Sequence, residues 1–492
     1  MRARRRSWPL GANAVLPIPL ALLLMVAAGA PAAHSAEADL EGRYVALGDS
    51  YASGAGVSPY EEGNGCQRST AAYPHEVGRR TGTDLTFAAC SGARTADLYE
   101  PSAANGQPAQ LDRLGQDTGL VTVSIGGNDA GFSRVLTECI TGKRLLPFVT
   151  CHNDPAVSGP SEAALETLGG TGARDGVRSY DSVFSDISSR APGARVVAVG
   201  YPHMFPPEGG SGGGLFFGRC EGVKKVDQRW MMAKTDEMNA SMRAAAVRHG
   251  GAYADPVDDF AGHELCGSSD SWFYGLTSDG RFHPTAAGHA ALAKDVHATI
   301  QGGQRQAPAP ASGVGVDNVR PVGEATATRR GDHLDLDATA SRDGDGAVAD
   351  VDWYIQRPDG SETVLQGARA TVQVDADEPV EVTAVITDDR GLTDFVTHVV
   401  PALEGDQPQP ASGAGQQETR LVIRGTEHMP VSTIDPERLA WADGQPATVT
   451  IADADGDGVD DVIVTRPGAE PGPHCLSGTL TDGTAIQACT SR

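Results

Sequence analysis

The sequence lacks several patterns that would have pointed to particular functions. No two of its cysteines have the C-x-x-C spacing of zinc ribbons and dithiol redox sites, which argues against both. Beyond the N-terminus, no apolar run is long enough to span a bilayer. Positive charge is scarce, since 39 Lys and Arg face 64 Asp and Glu, a formal net charge of −25. Such an acidic chain is a poor partner for nucleic acid or an anionic membrane surface.

The N-terminus has the pattern of a secretory signal peptide. Several arginines precede a mostly apolar stretch from Leu10 to Ala28, and small residues follow that stretch. We therefore predict that residues 1–36 are a signal peptide and that the mature protein is extracellular. An uncleaved membrane anchor is the alternative, and the two prolines that interrupt the apolar stretch argue against it.

Residues 37–301 alternate short apolar runs with helical patterns. The runs predicted as strands are Tyr44–Leu47, Leu85–Ala89, Leu120–Ile125, Val196–Val199 and Ala252–Ala254. The stretches predicted as helices are Ala72–Arg80, Tyr180–Arg190, Val226–His249 and Thr285–Ile300. Strands that alternate with helices indicate an α/β domain with a doubly wound parallel sheet.

The rest of the chain is predicted to be all-β. Residues 302–317 and 404–417 are rich in Pro, Gly and small or polar residues, a composition typical of linkers. Between them, residues 318–403 alternate apolar and polar side chains with period two, which predicts a β-sandwich with Trp353 in its core. Residues 418–492 form a second small β module, which we expect to be clipped by its two cysteines because so short a segment builds a limited core.

Four polar stretches of the first domain stand after predicted strands or before the last helix. They are Gly48-Asp49-Ser50, Ser91-Gly92-Ala93-Arg94, Gly126-Gly127-Asn128-Asp129 and His283-Pro284. The carboxyl ends of parallel strands line one crevice, so we expect these stretches to converge on one cleft. A serine that follows a strand and lies between glycines, as Ser50 does, stands where a nucleophile would be held.

With these four stretches in this order, the segment Arg43–Gln301 resembles the SGNH (GDSL-type) hydrolases, in particular their secreted actinobacterial lipase/esterase branch. The resemblance implies a flavodoxin-like fold and the hydrolysis of carboxylic esters without a cofactor. It makes Ser50 the nucleophile and His283 the base that takes its proton. It also makes the backbone N–H groups of Ser50 and Gly92 and the side-chain amide of Asn128 the oxyanion donors.

Two positions depart from the family pattern. Tyr51 stands where the family name has leucine, at a position expected to pack behind the serine. The family usually has an acid three residues before the histidine, but that position is Gly280 and the acid, Asp279, stands one residue earlier. Either Asp279 completes a triad, or a backbone carbonyl near His283 takes the place of the acid, as in some secreted actinobacterial relatives.

All eight cysteines follow the predicted signal, and an even number in an exported protein indicates disulfides. The sequence alone allows many pairings, of which pairing in chain order is the simplest. Secreted members of the resembled family carry three disulfides joined in that order. The expected pairs are Cys66–Cys90, Cys139–Cys151, Cys220–Cys266 and Cys475–Cys489.

The two β modules carry resemblances of their own. Residues 318–403 resemble polycystin-type (PKD) immunoglobulin-like domains, notably in Val351-Asp352-Trp353, which implies a spacer or a binder of polysaccharide or a cell surface. In the last module, a D-x-D-x-D-G pattern resembles calcium loops, in which alternate aspartates project oxygens toward a hard cation. The predicted ligands are Asp453, Asp455, Asp457 and Asp461, and a solvated acidic turn is the alternative.

The sequence therefore favours a secreted, monomeric serine esterase or lipase that acts on lipid esters, with calcium as its one candidate ion. A second hypothesis is a polysaccharide acetyl esterase that is anchored by its β modules. A third is a catalytically inactive adhesion or binding protein. The complete set of candidate nucleophile, base and oxyanion donors argues against this third hypothesis.

Overall fold

The computed structural model describes most of the chain beyond the N-terminus. The described residues are 40–61, 65–102, 105–141, 148, 150–211, 219–267, 270–302, 318–403, 418–426, 428–445, 447–467, 474–481 and 483–489. They belong to one structural unit, Leu40–Arg492. The predicted signal peptide and nearly all of both predicted linkers lie outside the described residues.

The first domain alternates strands and helices. Its strands are β1 (Arg43–Gly48), β2 (Leu85–Phe87), β3 (Thr118–Ser124), β4 (Ala173–Arg174), β5 (Val177–Arg178), β6 (Arg195–Val199), β7 (Arg219–Cys220), β8 (Val223–Lys224) and β9 (Ala252–Ala254). Its helices are α1 (Ser50–Ser53), α2 (Tyr73–Thr81), α3 (Phe132–Cys139), α4 (Pro155–Gly169), α5 (Tyr180–Arg190), α6 (Lys225–Arg248), α7 (Val257–Phe260) and α8 (Ala286–Ile300).

A parallel sheet lies at the centre of this domain, with the strand order β2-β1-β3-β6-β9. Counted along the chain within this sheet, the order is 2-1-3-4-5, which is the flavodoxin-like arrangement. The predicted fold class is therefore confirmed. The order reverses between β1 and β3, and ligands of such folds bind at the carboxyl ends of the strands at this switch point.

The burial of β1 explains why the central strands have continuous apolar sequences. Tyr44 and Ala46 pack into the apolar core on one face of the sheet, and Val45 and Leu47 pack into the core on the other. Successive side chains of a strand point to opposite faces, and both faces are covered. Every position of the strand therefore needs an apolar side chain.

Helices α3 and α4 are not predicted by the sequence pattern. Gly159 and Pro160 interrupt the helical pattern of α4, because glycine and proline disfavour helix interiors. The helix is nevertheless well started, since Asp154 accepts a hydrogen bond from the Ala156 N–H at 2.9 Å and Pro155 occupies the first position. Tertiary burial of α4 side chains then outweighs the two unfavourable residues.

The remainder of the described chain is built of strands. They are β10 (Thr326–Arg330), β11 (His333–Asp337), β12 (Val348–Gln356), β13 (Glu362–Gln366), β14 (Arg369–Gln373), β15 (Val380–Asp388), β16 (Thr393–Val400), β17 (Glu418–Ile423), β18 (Ala440–Trp441), β19 (Thr448–Ala452), β20 (Asp461–Pro467), β21 (Cys475–Thr479) and β22 (Ala485–Cys489). They form sheets with the orders β10-β11-β14, β13-β12-β15-β16-β22-β21-β18 and β17-β20-β19. We call residues 318–489 the β region.

The seven-stranded sheet of the β region contains strands from both predicted β modules. The parallel pair β16 and β22 joins them, with His398 opposite Ala485 and Val399 opposite Ile486. Each segment still has its own apolar core, one around Trp353 and one around Trp441. The two segments are thus joined by a shared sheet as well as by the chain between them, which the sequence analysis does not predict. The PKD resemblance stays a prediction.

The structure joins the cysteines in chain order. The pairs are Cys66–Cys90, Cys139–Cys151, Cys220–Cys266 and Cys475–Cys489. The last pair joins residues that stand directly opposite each other in β21 and β22. Among the described residues, no helix has the length and apolarity needed to cross a bilayer.

Replacing Trp353 by alanine tests the predicted sandwich core. The side chain is 1% exposed, and its indole N–H donates to the Gly367 carbonyl at 2.8 Å. We expect the free energy of unfolding measured in urea to fall by about 3–5 kcal/mol, because the substitution opens a cavity. Val364→Ala on the neighbouring strand, at a position 52% exposed, should change it by less than about 0.5 kcal/mol. Equal losses in the two variants would contradict this core.

Candidate active site

Ser50 stands at the first position of α1, directly after the carboxyl end of β1. Asp49 caps this short helix, since its Oδ1 accepts a hydrogen bond from the Tyr51 N–H at 2.9 Å. The preceding Gly48 is held on both sides by the Gln110 amide, which accepts from Gly48 N at 2.8 Å and donates to Gly48 O at 2.9 Å. Gly48 has φ +139°, and a Cβ there would lie 2.3 Å from the Ser124 carbonyl oxygen, so only glycine fits. The backbone that presents Ser50 is therefore fixed.

His283 approaches Ser50 from the loop before α8. Its Nε2 lies 2.8 Å from Ser50 Oγ, a contact between residues 233 positions apart. Its Nδ1 lies 3.0 Å from the carbonyl oxygen of Arg281. A carbonyl can only accept, so Nδ1 carries the proton and Nε2 is free to accept the hydroxyl proton of Ser50.

The group that contacts His283 Nδ1 is a backbone carbonyl and not an acidic side chain. Asp279, the acidic candidate, is exposed, and the hydrogen bond at His283 Nδ1 goes to the Arg281 carbonyl. Of the two sequence-based alternatives, the structure favours the carbonyl and not Asp279. The reason is local geometry, because the loop turns so that His283 N–H donates to Gly280 O at 3.0 Å and the Arg281 carbonyl lies within hydrogen-bond distance of His283 Nδ1.

The loop that carries His283 is held by its pairing with the segment 272–274. Tyr274 N–H donates to the His283 carbonyl at 3.0 Å, and Phe282 N–H donates to the Tyr274 carbonyl at 2.7 Å. Phe273 is buried in the core, and Trp272 stacks on the ring of His263 with centroids 3.8 Å apart. The aromatic residues of the segment 272–274 thus pack beneath and hold the histidine loop, and they are not among the residues that line the cavity beside Ser50.

Tyr51 links the serine helix to the histidine loop. Its hydroxyl donates to the Phe282 carbonyl at 2.9 Å, and its ring centroid is 5.6 Å from that of His283. Phe282 has φ +65°, a conformation that is uncommon for residues other than glycine. The tyrosine at the position of the family's leucine therefore packs against the site as expected and adds a hydrogen bond that leucine could not make.

Of the expected oxyanion donors, Asn128 shares the cavity with Ser50 and His283. Its Nδ2 donates to the Ala93 carbonyl at 2.9 Å, which orients the amide and leaves its second N–H available. Gly92, with φ +82°, lies in the turn after β2 and is not among the residues that line the cavity. Within the described residues, no hydrogen bond uses the backbone N–H of Ser50 or of Gly92.

Asp49 and Tyr201 join the strand ends beneath the site. Asp49 Oδ2 accepts from the Tyr201 hydroxyl at 2.5 Å, and that hydroxyl accepts from Gly127 N–H at 3.2 Å. Burial raises the pKa of the Asp49 carboxyl to about 7, against the hydrogen bonds from Tyr201 and from the Tyr51 N–H that lower it. Sequence reasoning assigned no role to Tyr201. Its position after β6, at the carboxyl edge of the sheet, is the one signal that could have found it.

Asp129 ties the third polar stretch to the second. Its carboxylate accepts from both the N–H and the hydroxyl of Thr95, at 2.9 and 2.8 Å. Burial raises the pKa of Asp129 to about 6, although both hydrogen bonds from Thr95 lower it. Gly126, with φ +123°, leaves space for the Tyr180 hydroxyl, which a Cβ would meet at 2.1 Å.

A largely apolar cavity of about 330 Å³ opens beside Ser50 and His283. One wall comes from α3 and the residues after it, including Phe132, Leu136 and Ile140. Another wall comes from α6, with Met231 and Met232. Apolar side chains on both sides and a few polar groups at one end are the usual composition of a small-molecule binding site.

The acidic loop of the last segment brings three of its four predicted ligands together. Oxygens of Asp453, Asp455 and Asp461 lie within 4.8 Å of one another. Asp457 is not among them, and its carboxylate accepts from the Val459 N–H at 2.7 Å within the turn. Asp461 is buried and accepts from two backbone N–H groups. Three convergent carboxylates fit a hard cation such as calcium.

Comparisons with known proteins agree with this geometry. Residues 46–291 match the GDSL-like Lipase/Acylhydrolase family. Lipase 1 of Streptomyces coelicolor is 36% identical over 270 residues, which cover 54% of this chain and 87% of that protein. A lipase of Streptomyces rimosus is 36% identical over 295 residues, which cover 59% of this chain and 96% of that protein. The crystal structure of phospholipase A1 from Streptomyces albidoflavus NA297 is 32% identical, covers 53% of this chain and 99% of its own, and gives a TM-score of 0.44. By the family match across half of its length and by its identity with the two Streptomyces lipases, the chain belongs to the GDSL-like lipase/acylhydrolase family, whose members hydrolyse carboxylic esters.

Proposed function

We propose that this protein is a serine esterase or lipase that hydrolyses lipid esters with Ser50 as nucleophile and His283 as general base. The observation that carries the proposal is the 2.8 Å contact between Ser50 Oγ and His283 Nε2 at the mouth of an apolar cavity. The carbonyl of Arg281 keeps the imidazole in the tautomer that can accept the serine proton. Catalysis needs no cofactor in this scheme.

In the proposed mechanism, Ser50 Oγ attacks the ester carbonyl carbon while His283 Nε2 takes the hydroxyl proton. The negative charge on the carbonyl oxygen is met by the Asn128 amide and by the N–H groups of Ser50 and Gly92. The intermediate collapses to an acyl-enzyme as His283 returns the proton to the leaving alcohol. Water, deprotonated by the same nitrogen, then releases the acid and restores Ser50.

The cavity favours an acyl chain as the group held beside the nucleophile. Its walls of phenylalanine, leucine, isoleucine and methionine offer apolar surface to a hydrocarbon tail, and methionines adapt to tails of different shape. An acetyl group would leave most of this surface uncovered. We therefore favour lipid esters over acetylated polysaccharide.

We further propose that the protein is exported and acts outside the cell. The predicted signal peptide and the four disulfides, which persist in oxidising compartments, support this. The binding of polysaccharide or a cell surface by the β region and the monomeric state stay predictions. Calcium binding by Asp453, Asp455 and Asp461 is a separate proposal, which rests on the convergence of their carboxylates.

Ser50→Ala should lower kcat/KM on p-nitrophenyl esters by at least about 10⁴-fold, because no other group replaces the nucleophile. The matched control is Ser133→Ala, a second serine that lines the same cavity without contacting His283, and it should stay near the wild-type rate. Wild-type activity in Ser50→Ala would overturn the mechanism. In the same assay, activity on acetylated xylan with none beyond short acyl chains would replace the lipid substrate by a polysaccharide.

Asp279→Asn should retain most of the wild-type kcat, because the exposed carboxylate does not contact His283. His283→Ala, measured beside it, should lose activity as severely as Ser50→Ala. A loss in Asp279→Asn that approaches the loss in His283→Ala would show that the aspartate, and not the Arg281 carbonyl, steadies the imidazole.

At low pH, kcat/KM should decline with an apparent pKa below the ordinary histidine value of about 6.5. Burial lowers the pKa of His283, although the hydrogen bonds with the Arg281 and Gly280 backbone raise it. The base acts in its neutral form, so a lowered pKa extends activity to lower pH. Asp49→Asn removes the nearby carboxyl that titrates near 7 and should leave this apparent pKa unchanged. An apparent pKa at or above the ordinary histidine value would contradict the lowered pKa of His283.

Titration calorimetry tests the calcium proposal. Calcium chloride should give a binding heat with the wild type and none with Asp455→Ala, which removes one of the three convergent carboxylates. Asp457→Ala is the matched control within the same loop and should keep the heat, since Asp457 lies outside the cluster. Identical heats in wild type and Asp455→Ala, or none in the wild type, would leave the loop as a solvated turn.

A further inference from the structure

The first two turns of α6 are buried on every side. Seven successive residues from Val226 to Met232 are buried, and they include the charged Asp227 and Arg229. A helix with a polar outward face normally keeps that face in water. Here the sandwich of the β region covers it, so this part of α6 lies between the cavity beside Ser50 and the β region.

Arg229 binds the sandwich through a buried two-pronged ion pair. Its Nη1 and Nη2 donate to the two carboxylate oxygens of Glu362 at 2.8 and 2.6 Å, with both side chains less than a tenth exposed. The guanidinium also lies 3.8 Å from the ring centroid of Tyr354. Planar bidentate pairing fixes both distance and orientation, which a single surface ion pair would not do.

Further charged contacts surround this pair. Lys224, immediately before α6, lies 3.8 Å from Glu381 of β15, and both are nearly fully buried. Farther along α6, Glu237 accepts from Arg320 at 2.8 and 3.0 Å. The helix is thus fastened to the β region at its start and at its middle.

The segment after α3 is fastened to the β region as well. Buried His152, next to the Cys139–Cys151 disulfide, has Nδ1 2.8 Å from Asp227 Oδ1 and Nε2 3.0 Å from the Thr397 hydroxyl of β16. Phe148 of the same disulfide loop is buried in the apolar core around Trp441. Both anchors act on the segment whose other end, α3, forms a wall of the cavity.

We propose that the β region is a specificity element of the catalytic site, which sets the width of the apolar cavity by holding its two walls. The α6 wall, with Met231 and Met232, is held through Arg229 and Glu362. The α3 wall is held through His152 and Thr397. Arg229, Glu362, His152 and Thr397 are not among the residues that line the cavity, so they are positioning residues. This inference rests on the proposed esterase function.

Loosening either anchor should change the enzyme's preference among acyl-chain lengths more than it changes the rate of the chemical step. A long chain fills the cavity and depends on both walls, whereas a short chain lies near Ser50 and uses little of them. Misplaced walls therefore raise KM for long esters and leave kcat for short esters nearly unchanged.

The test uses the full-length protein with Glu362→Gln and Thr397→Val. For each variant, kcat and KM are measured on p-nitrophenyl butyrate and p-nitrophenyl decanoate. We expect the decanoate-to-butyrate ratio of kcat/KM to fall about tenfold, mostly through KM for decanoate. The matched control is Glu324→Gln, an exposed partner of Arg342 on the same sandwich, which should keep the wild-type ratio.

A smaller folded fraction of a variant would not change the decanoate-to-butyrate ratio, because it would lower kcat/KM for both esters equally. If Glu362→Gln does not fold, Thr397→Val decides, since it changes only a hydroxyl to a methyl group. A wild-type ratio in the folded variants would overturn the inference while the Ser50 dependence of the activity still stood. Wild-type activity in Ser50→Ala would instead overturn the proposed function.

Discussion

The hydrogen bond between Ser50 Oγ and His283 Nε2 joins two very different pieces of backbone, and the first domain is arranged to keep them together. Ser50 is held by the rigid edge of a parallel sheet, with Gly48 fixed by Gln110 on both sides. His283 is held by a loop that has no sheet of its own and depends on pairing with residues 272–274. Tyr51 connects the two pieces, because its hydroxyl reaches the backbone just before the histidine. A contact so distant in sequence exists only when the whole domain has folded.

The sequence predicts those parts of the site that reside in side chains near strand ends. The alternation of strands and helices predicts the sheet, whose strand ends bring Ser50 and Asn128 to the cavity that His283 reaches from the loop before α8. The sequence left two candidates for the acceptor of His283 Nδ1, Asp279 and a nearby backbone carbonyl, because every residue has a carbonyl and no motif marks which one is used. Tyr201 escaped because its role comes from a hydroxyl that contacts Asp49 and Gly127 across the sheet edge. Such contacts depend on three-dimensional placement and leave no local pattern.

The β region shows a similar limit. Period-two alternation revealed its strands and placed Trp353 inside, but alternation says nothing about which strands pair across long distances. The pairing of β16 with β22 was therefore invisible in the sequence. Buried charge was invisible for a related reason. From the sequence alone, Arg229 and Lys224 are expected at the surface. Their burial becomes possible because a partner carboxylate offsets the cost of removing each charge from water.

The shared seven-stranded sheet also constrains the order in which the chain can complete itself. Strand β16 has neighbours on both sides only after β22, the last described strand, has been added to it. Until that point in synthesis, the part of the β16 edge around His398 and Val399, where β22 pairs, is open, and open edges attract other chains. The C-terminal segment therefore covers part of a strand edge that would otherwise be unpaired. A chain shortened before residue 485 would keep its catalytic residues and leave that edge unpaired. Its main defect would then be self-association and not the loss of a catalytic group.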